Sequence, residues 1–150
     1  MSLARNLGKL SPSTTALFLC DMQAKFRPSI SHFDAIVHNS NRVLSAAQIM
    51  SIPTVATEQY PKGLGHTVPE LEIAKFGIGP YSKTCFTMVL PQLMEELQSK
   101  QSGTLSVILC GIETHACIHH TTLDLLERGL DVHIPVDCVS SRYAAMGSVV

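Results

Sequence analysis

Cys117 is the residue in this chain best placed to do chemistry, because of the segment that carries it. Thr104 to Gly129 reads TLSVILCGIETHACIHHTTLDLLERG. Leu105, Val107, Ile108 and Leu109 form an apolar run of strand length closed by Cys110 and Gly111, the pattern of a parallel strand buried on both faces. Ile118, Thr121, Thr122, Leu125 and Leu126 then recur at helical spacing until Gly129, with Thr114 as the expected N-cap. A thiol in the first turn of that helix lies among free N–H groups at the positive end of the helix dipole. It ionises more easily than a free cysteine, and the thiolate is the nucleophilic form. The same N–H groups suit an oxyanion formed when the sulfur attacks a carbonyl. Taken alone, the segment also fits a small buried cysteine packed in a helix.

The elements that must position this cysteine are legible along the chain. Thr15 to Cys20 is a short apolar run ending at Asp21, which predicts a buried strand with a carboxylate at its C-terminal end. Phe33, Ile36, Val37, Val43, Leu44 and Ala47 recur at intervals of three and four and predict an amphipathic helix, broken at Ser51-Ile52-Pro53. Thr54 to Thr57 predicts a second strand ending in Glu58, Gln59 and Tyr60. The stretch from Pro61 to Gly79 is irregular, with one helical turn expected at Pro69 to Lys75. Tyr81 to Val89 predicts a third strand carrying Lys83, Pro91 to Lys100 a helix opened by proline, and Asp131 to Val136 a fifth strand.

Alternating strands and helices with short connections predict an α/β domain with a largely parallel sheet, in which ligands bind beyond the carboxyl ends of the strands. Asp21, Glu58 and Cys117 fall at such ends. Lys83 lies near the start of its predicted strand, so spacing does not bring it to the site. Tyr60 to Gly65 follows a strand end and contains glycines that permit close backbone approach, the marks of a substrate-facing loop. His115, His119 and His120 surround Cys117 but lack partners at a metal-ligand spacing, and are expected to flank the pocket or face solvent. Cys20, Cys85, Cys110 and Cys138 are expected in the core or the pocket wall.

The 150 residues, 45% of them hydrophobic, predict a single domain over 1–150 with a substantial core. A net charge of -1 gives no reason to expect nucleic acid or an anionic membrane as partner, and a small-molecule ligand fits better. Five cysteines without a C-x-x-C pair indicate free thiols in a reducing compartment and weigh against structural zinc. The cytoplasm is the expected location. The leader before Asp21, with Arg5, Lys9 and several hydroxyl residues, faintly resembles an organelle-targeting segment, which makes a mitochondrial address the alternative.

Four stretches in order carry a family resemblance: LFLCDMQAKF at Leu17 to Phe26, TEQYPKGLG at Thr57 to Gly65, KTCFTM at Lys83 to Met88, and CGIETHACIHHTTLDLLERGLDVHIPVD at Cys110 to Asp137. The chain resembles the isochorismatase-like cysteine hydrolase superfamily over nearly its whole length, and most closely its isochorismatase domain-containing proteins. The resemblance implies a doubly wound, mostly parallel, Rossmann-like sheet with helices on both faces. It also implies a catalytic trio of Asp21, Lys83 and Cys117. In that scheme Cys117 attacks an amide carbonyl to form a thioester, Asp21 carries the proton, and Lys83 holds the thiolate and carboxylate together. A cis peptide between Ile112 and Glu113 is implied, with the N–H groups of Glu113 and Cys117 as the oxyanion hole. Phe26, Glu58, Gln59 and Tyr60 are the candidate substrate-binding residues.

No cofactor and no catalytic metal are expected, since TEQYPKGLGH offers only Glu58 and His66 where nicotinamidases carry an aspartate and histidines. A homo-oligomer is expected. Family members continue through another helix and strand, so the fold is expected to lack these. The expected function is hydrolysis of a small-molecule carbon–nitrogen bond. The alternatives are a catalytically silent member acting as a binding or regulatory partner, and thiol-based redox sensing at Cys117.

Overall fold

A computed structural model of the chain describes residues 8–142. Its centre is a parallel sheet of β1 (Thr15–Cys20), β2 (Thr54–Gln59), β3 (Tyr81–Lys83), β4 (Ser106–Ile112), β5 (Asp131–His133) and β6 (Val139–Ser140). The strands run in the order β3-β2-β1-β4-β5, and β6 also pairs with β4. The helices are α1 (Phe33–Ile49), the single turn α2 (Pro61–Leu64), α3 (Pro91–Lys100) and α4 (His119–Glu127). This is the α/β fold expected from the alternating pattern, with helices packed on both faces.

The sheet is covered on both sides, and its central strands β1 and β4 are mostly apolar and almost wholly buried. In β1, Leu17 and Leu19 join Phe33, Ile36, Val37 and Leu44 of α1 on one face. Ala16, Phe18 and Cys20 join Leu93 and Leu97 of α3 and Leu125 of α4 on the other. All six residues of β1 are buried. Fully burying a leucine or phenylalanine side chain contributes about 1.5–3 kcal/mol, so this strand anchors both layers.

Three expectations are corrected, and each correction bears on the site. The third strand stops at Lys83 instead of reaching Val89. Beyond it the backbone bends so that the carbonyls of Cys85 and Phe86 accept from Lys83 Nζ at 3.1 and 2.9 Å. Carbonyls turned to an ammonium are not available to a sheet ladder. Lys83 therefore ends its strand and stands at the carboxyl edge with the other candidates.

The fifth strand breaks at Pro135, which has no N–H to donate. A turn at Val136–Cys138 follows, and pairing resumes in β6 with Gly111 opposite Val139. Thr114 is not an N-cap. Residues Thr114–Ile118 wind as a π-helix, with the Ile118 N–H donating five residues back to the Glu113 carbonyl at 3.2 Å. The Thr114 hydroxyl is buried without a hydrogen-bond partner among the described residues. Such wide turns recur at functional sites. By sequence Tyr143 to Val150 could begin a helix, and this stretch lies outside the described residues.

Candidate active site

Four strand ends converge. Cys20 is opposite Thr57 of β2 and Gly111 of β4, and Lys83 of β3 is opposite Gln59. Asp21 follows β1 directly and leaves it with φ 50, a left-handed conformation that aspartate tolerates better than most residues. At Gly111, φ is 122, and an added Cβ would lie 2.0 Å from the Cys20 carbonyl oxygen. Only glycine lets β1 and β4 approach this closely where they deliver Asp21 and the cysteine turn.

Lys83 Nζ stands 2.7 Å from Asp21 Oδ2, with the Lys83 side chain 0% and the Asp21 side chain 1% exposed. It is 3.6 Å from Cys117 Sγ and 2.7 Å from Gln59 Oε1. Gln59 is itself held by Gln23, whose Oε1 accepts from the Gln59 N–H at 2.7 Å and whose Nε2 donates to the Gln59 carbonyl at 2.9 Å. Thr57 Oγ1 donates to Asp21 Oδ1 at 2.7 Å. Asp21 Oδ2 accepts no aligned hydrogen bond, and its contact with Lys83 is one of charge.

The electrostatics favour a thiolate at Cys117. A hydrogen bond from the Cys20 thiol lowers the Cys117 pKa most, and the Lys83 ammonium lowers it further. Burial and the Asp21 carboxylate oppose, and the net shift is downward. Burial raises the Cys20 thiol well above its ordinary value, so Cys20 keeps its proton and can donate it. Burial also works against the Lys83 cation, but the surrounding Cys20, Asp21 and Cys117 outweigh it and raise its pKa.

The peptide between Ile112 and Glu113 is cis. The Glu113 carboxylate is held outward by Arg142, with Nη2 2.8 Å from Oε1. Among the candidate substrate residues, Tyr60 is exposed and lines a cleft of about 440 Å³ with Pro61, Ser82, Lys83, Cys85 and Leu90. Phe26 is half-buried against the α1-side core. Gln59 holds Lys83, while the Glu58 carboxylate accepts from the Thr67 N–H, Thr67 Oγ1 and His66 at 2.7, 2.9 and 3.1 Å. Those bonds tie down the loop after β2, so the site residues are not brought to one surface. His115, His119 and His120 are exposed, and His120 stacks on Phe86 with ring centroids 5.2 Å apart.

Among the described residues, the one set of donor atoms that converges as metal ligands would is Cys20, Asp21 and Cys117, within 4.8 Å of one another. The Lys83 ammonium lies against two of the three and competes for the place of a cation. Thr57, Gln23 and Cys20 escaped the sequence reading as site residues. Their signal was faint: three polar or polarisable groups within three positions of a predicted strand end.

The isochorismatase domain model matches residues 15–148. Isochorismatase domain-containing protein 2A of Mus musculus is 55% identical over 143 residues, which are 95% of this chain and 68% of that protein. Among solved structures, a MAR1 ribonuclease from Caenorhabditis elegans is 48% identical with a TM-score of 0.84, covering 93% of this chain and 71% of the other. The YcaC gene product of Escherichia coli, an octameric hydrolase of unknown specificity, shares the fold at 22% identity and a TM-score of 0.81, over 93% of this chain and 70% of its own. A chain so matched in sequence and in fold belongs to the isochorismatase family.

Proposed function

We propose that this chain is a cysteine hydrolase that cleaves a carbon–nitrogen bond of a small carboxamide. The observation that carries the reading is the buried contact of three groups from separate elements: Lys83 Nζ at 2.7 Å from Asp21 and 3.6 Å from Cys117. Burying an ion pair is costly, and a hydrophobic replacement is often as stable. A charged pair beside a nucleophile is better explained by chemistry than by stability.

In this reading the Cys117 proton passes to Asp21 Oδ2, and the thiolate attacks the carbonyl carbon. The carbonyl π-bond opens to an oxyanion, for which the N–H groups of Glu113 and Cys117 are the proposed donors. As the carbonyl re-forms, the carbon–nitrogen bond breaks and Asp21 returns the proton to the leaving amine. Water then attacks the thioester, giving a proton to Asp21, and the acid departs as the Cys117 thiol is restored. Lys83 stays protonated throughout and balances whichever of Cys117 or Asp21 is anionic. Tyr60 and the cleft beside it are the proposed entry for the substrate.

A panel of small carboxamides, assayed for ammonia release, tests this. Turnover by wild type and none by Cys117→Ala is expected. No turnover by folded wild type across the panel contradicts it. The ribonuclease name belongs to the worm relative. Here a net charge of -1 and a site cation already paired with Asp21 offer a phosphodiester little counter-charge. An RNA substrate in the same assay should remain intact. Assembly into a homo-oligomer belongs to the same proposal, with the exposed Leu123 and Leu126 of α4 as apolar surface to cover. Light scattering in solution decides it.

A further inference from the structure

Cys20 has no role in the hydrolytic scheme beyond its hydrogen bond, yet its placement is specific. It is the last residue of β1, 0% exposed. Its sulfur, the Asp21 carboxylate and the Cys117 sulfur lie within 4.8 Å of one another. Cys117 rides on the π-helical turn that leaves β4, and Gly111 at the end of β4 is opposite Cys20. Two sulfurs so placed need to close to about 2.05 Å to bond. Closing that gap requires rotation of the side chains and movement of that turn.

We propose that Cys20 is a resolving thiol for Cys117, so that a hydroperoxide converts the pair into a reversible disulfide that masks the nucleophile. The Cys117 thiolate attacks one peroxide oxygen and the O–O bond breaks. The sulfur is oxidised to a sulfenic acid, and the departing hydroxide takes a proton to become water. Cys20 then gives its proton to Asp21, and its sulfur attacks the sulfenic sulfur. The S–S bond forms, the S–O bond breaks, and the departing hydroxide is protonated to a second water. Two thiols and one hydrogen peroxide thus become one disulfide and two waters. Without a resolving partner, a sulfenic acid is open to irreversible oxidation to the sulfinic acid. The inference rests on the assembled trio, and not on the identity of any amide substrate.

The test treats the full chain with graded hydrogen peroxide, blocks remaining thiols and maps the peptides by mass spectrometry. Iodoacetamide labelling of untreated protein reports in parallel whether Cys117 is a reactive thiolate. Expected are a peptide linked through Cys20 and Cys117, reversed by a thiol reductant, and its loss in Cys20→Ser with sulfinic acid accumulating at Cys117. Because Cys20 is buried, Cys20→Ala is run beside it, and the wild-type map alone already decides the linkage. Sulfinic acid at Cys117 in wild type with no linked peptide overturns the proposal, as does linkage of Cys117 to the exposed Cys85. Fast labelling of Cys117 with no cross-link removes the switch while leaving the hydrolase reading intact. A Cys117 inert to both reagents removes both.

Discussion

Two cysteine pairs lie on opposite faces of the same sheet, and only one has an ammonium beside it. Cys20 and Cys117 pack in the core on the α3 and α4 side, Cys110 and Cys138 in the core on the α1 side. Each pair joins a strand residue to a residue in a later turn. In each, the strand cysteine keeps its proton and donates to the second sulfur, which lowers the second pKa. Burial is common to both. What differs is the charge alongside. Cys117 Sγ has the Lys83 ammonium at 3.6 Å, whereas Cys138 Sγ has the Asp137 carboxylate at 3.7 Å. Unit charges about 4 Å apart interact by about 4 kcal/mol at an effective dielectric near 20. Both second sulfurs have a thiol donor and a carboxylate nearby, so in the proposed reading it is the added ammonium that sets Cys117 apart from Cys138.

Gly111 stands between the two pairs, next to Cys110 and opposite Cys20, and its replacement should break both. With the Cβ of Gly111→Ala 2.0 Å from the Cys20 carbonyl oxygen, no relaxed side chain can absorb the clash. The expected outcome is loss of the cooperative thermal transition followed by circular dichroism.

Lys83→Met breaks the comparison on one side only. It strands the buried Asp21 carboxylate, a change that costs about 3–5 kcal/mol, and it should slow labelling of Cys117 while leaving Cys138 as it was. Urea denaturation measures the first effect. Lys83→Met with Asp21→Asn should recover much of the loss, since no buried charge is then unpaired. Cys138→Ala, by contrast, should leave the proposed amide hydrolysis at the wild-type rate in the ammonia assay, because Cys138 lies in the core on the other face of the sheet.

The smallest effect concerns the loop rather than the sulfurs. Burial opposes ionisation of Glu58, but hydrogen bonds from Thr67 and His66 outweigh it and lower its pKa. With the folded value below the unfolded one, the stabilisation is complete above the unfolded range near ~4.3 and is lost as pH falls through the folded value. Thr67→Val removes one of those bonds and should cost about 1.5 kcal/mol at neutral pH, with the difference shrinking toward acid in urea titrations.

Much of this was legible in the residues. The run from Thr15 to Cys20 and the helix from Pro91 to Lys100 are observed with the bounds their patterns predict, because strong apolar runs and an N-terminal proline act locally. Lys83 was placed by the family resemblance and not by its spacing. Its strand ends early because the Cys85 and Phe86 carbonyls, two and three residues on, turn to its own ammonium, a side-chain-to-backbone bond that strand propensity does not record. Pro135 is visible in the sequence, yet resumption of pairing at Val139 depends on β4 being alongside. Cys20 read as a core residue and is one. Its approach to Cys117 comes from the register of β1 on β4 and the wide turn at Thr114–Ile118, both tertiary facts.

The most direct test of the central claim is the labelling rate of each of the five cysteines with iodoacetamide as a function of pH, read by mass spectrometry in wild type and Lys83→Met. The charge beside Cys117 predicts that this sulfur labels with a midpoint below the free-thiol value of about 8.5, and that the midpoint rises when Lys83 is replaced. A Cys117 that labels no faster than Cys138, or whose profile ignores the loss of Lys83, would contradict it.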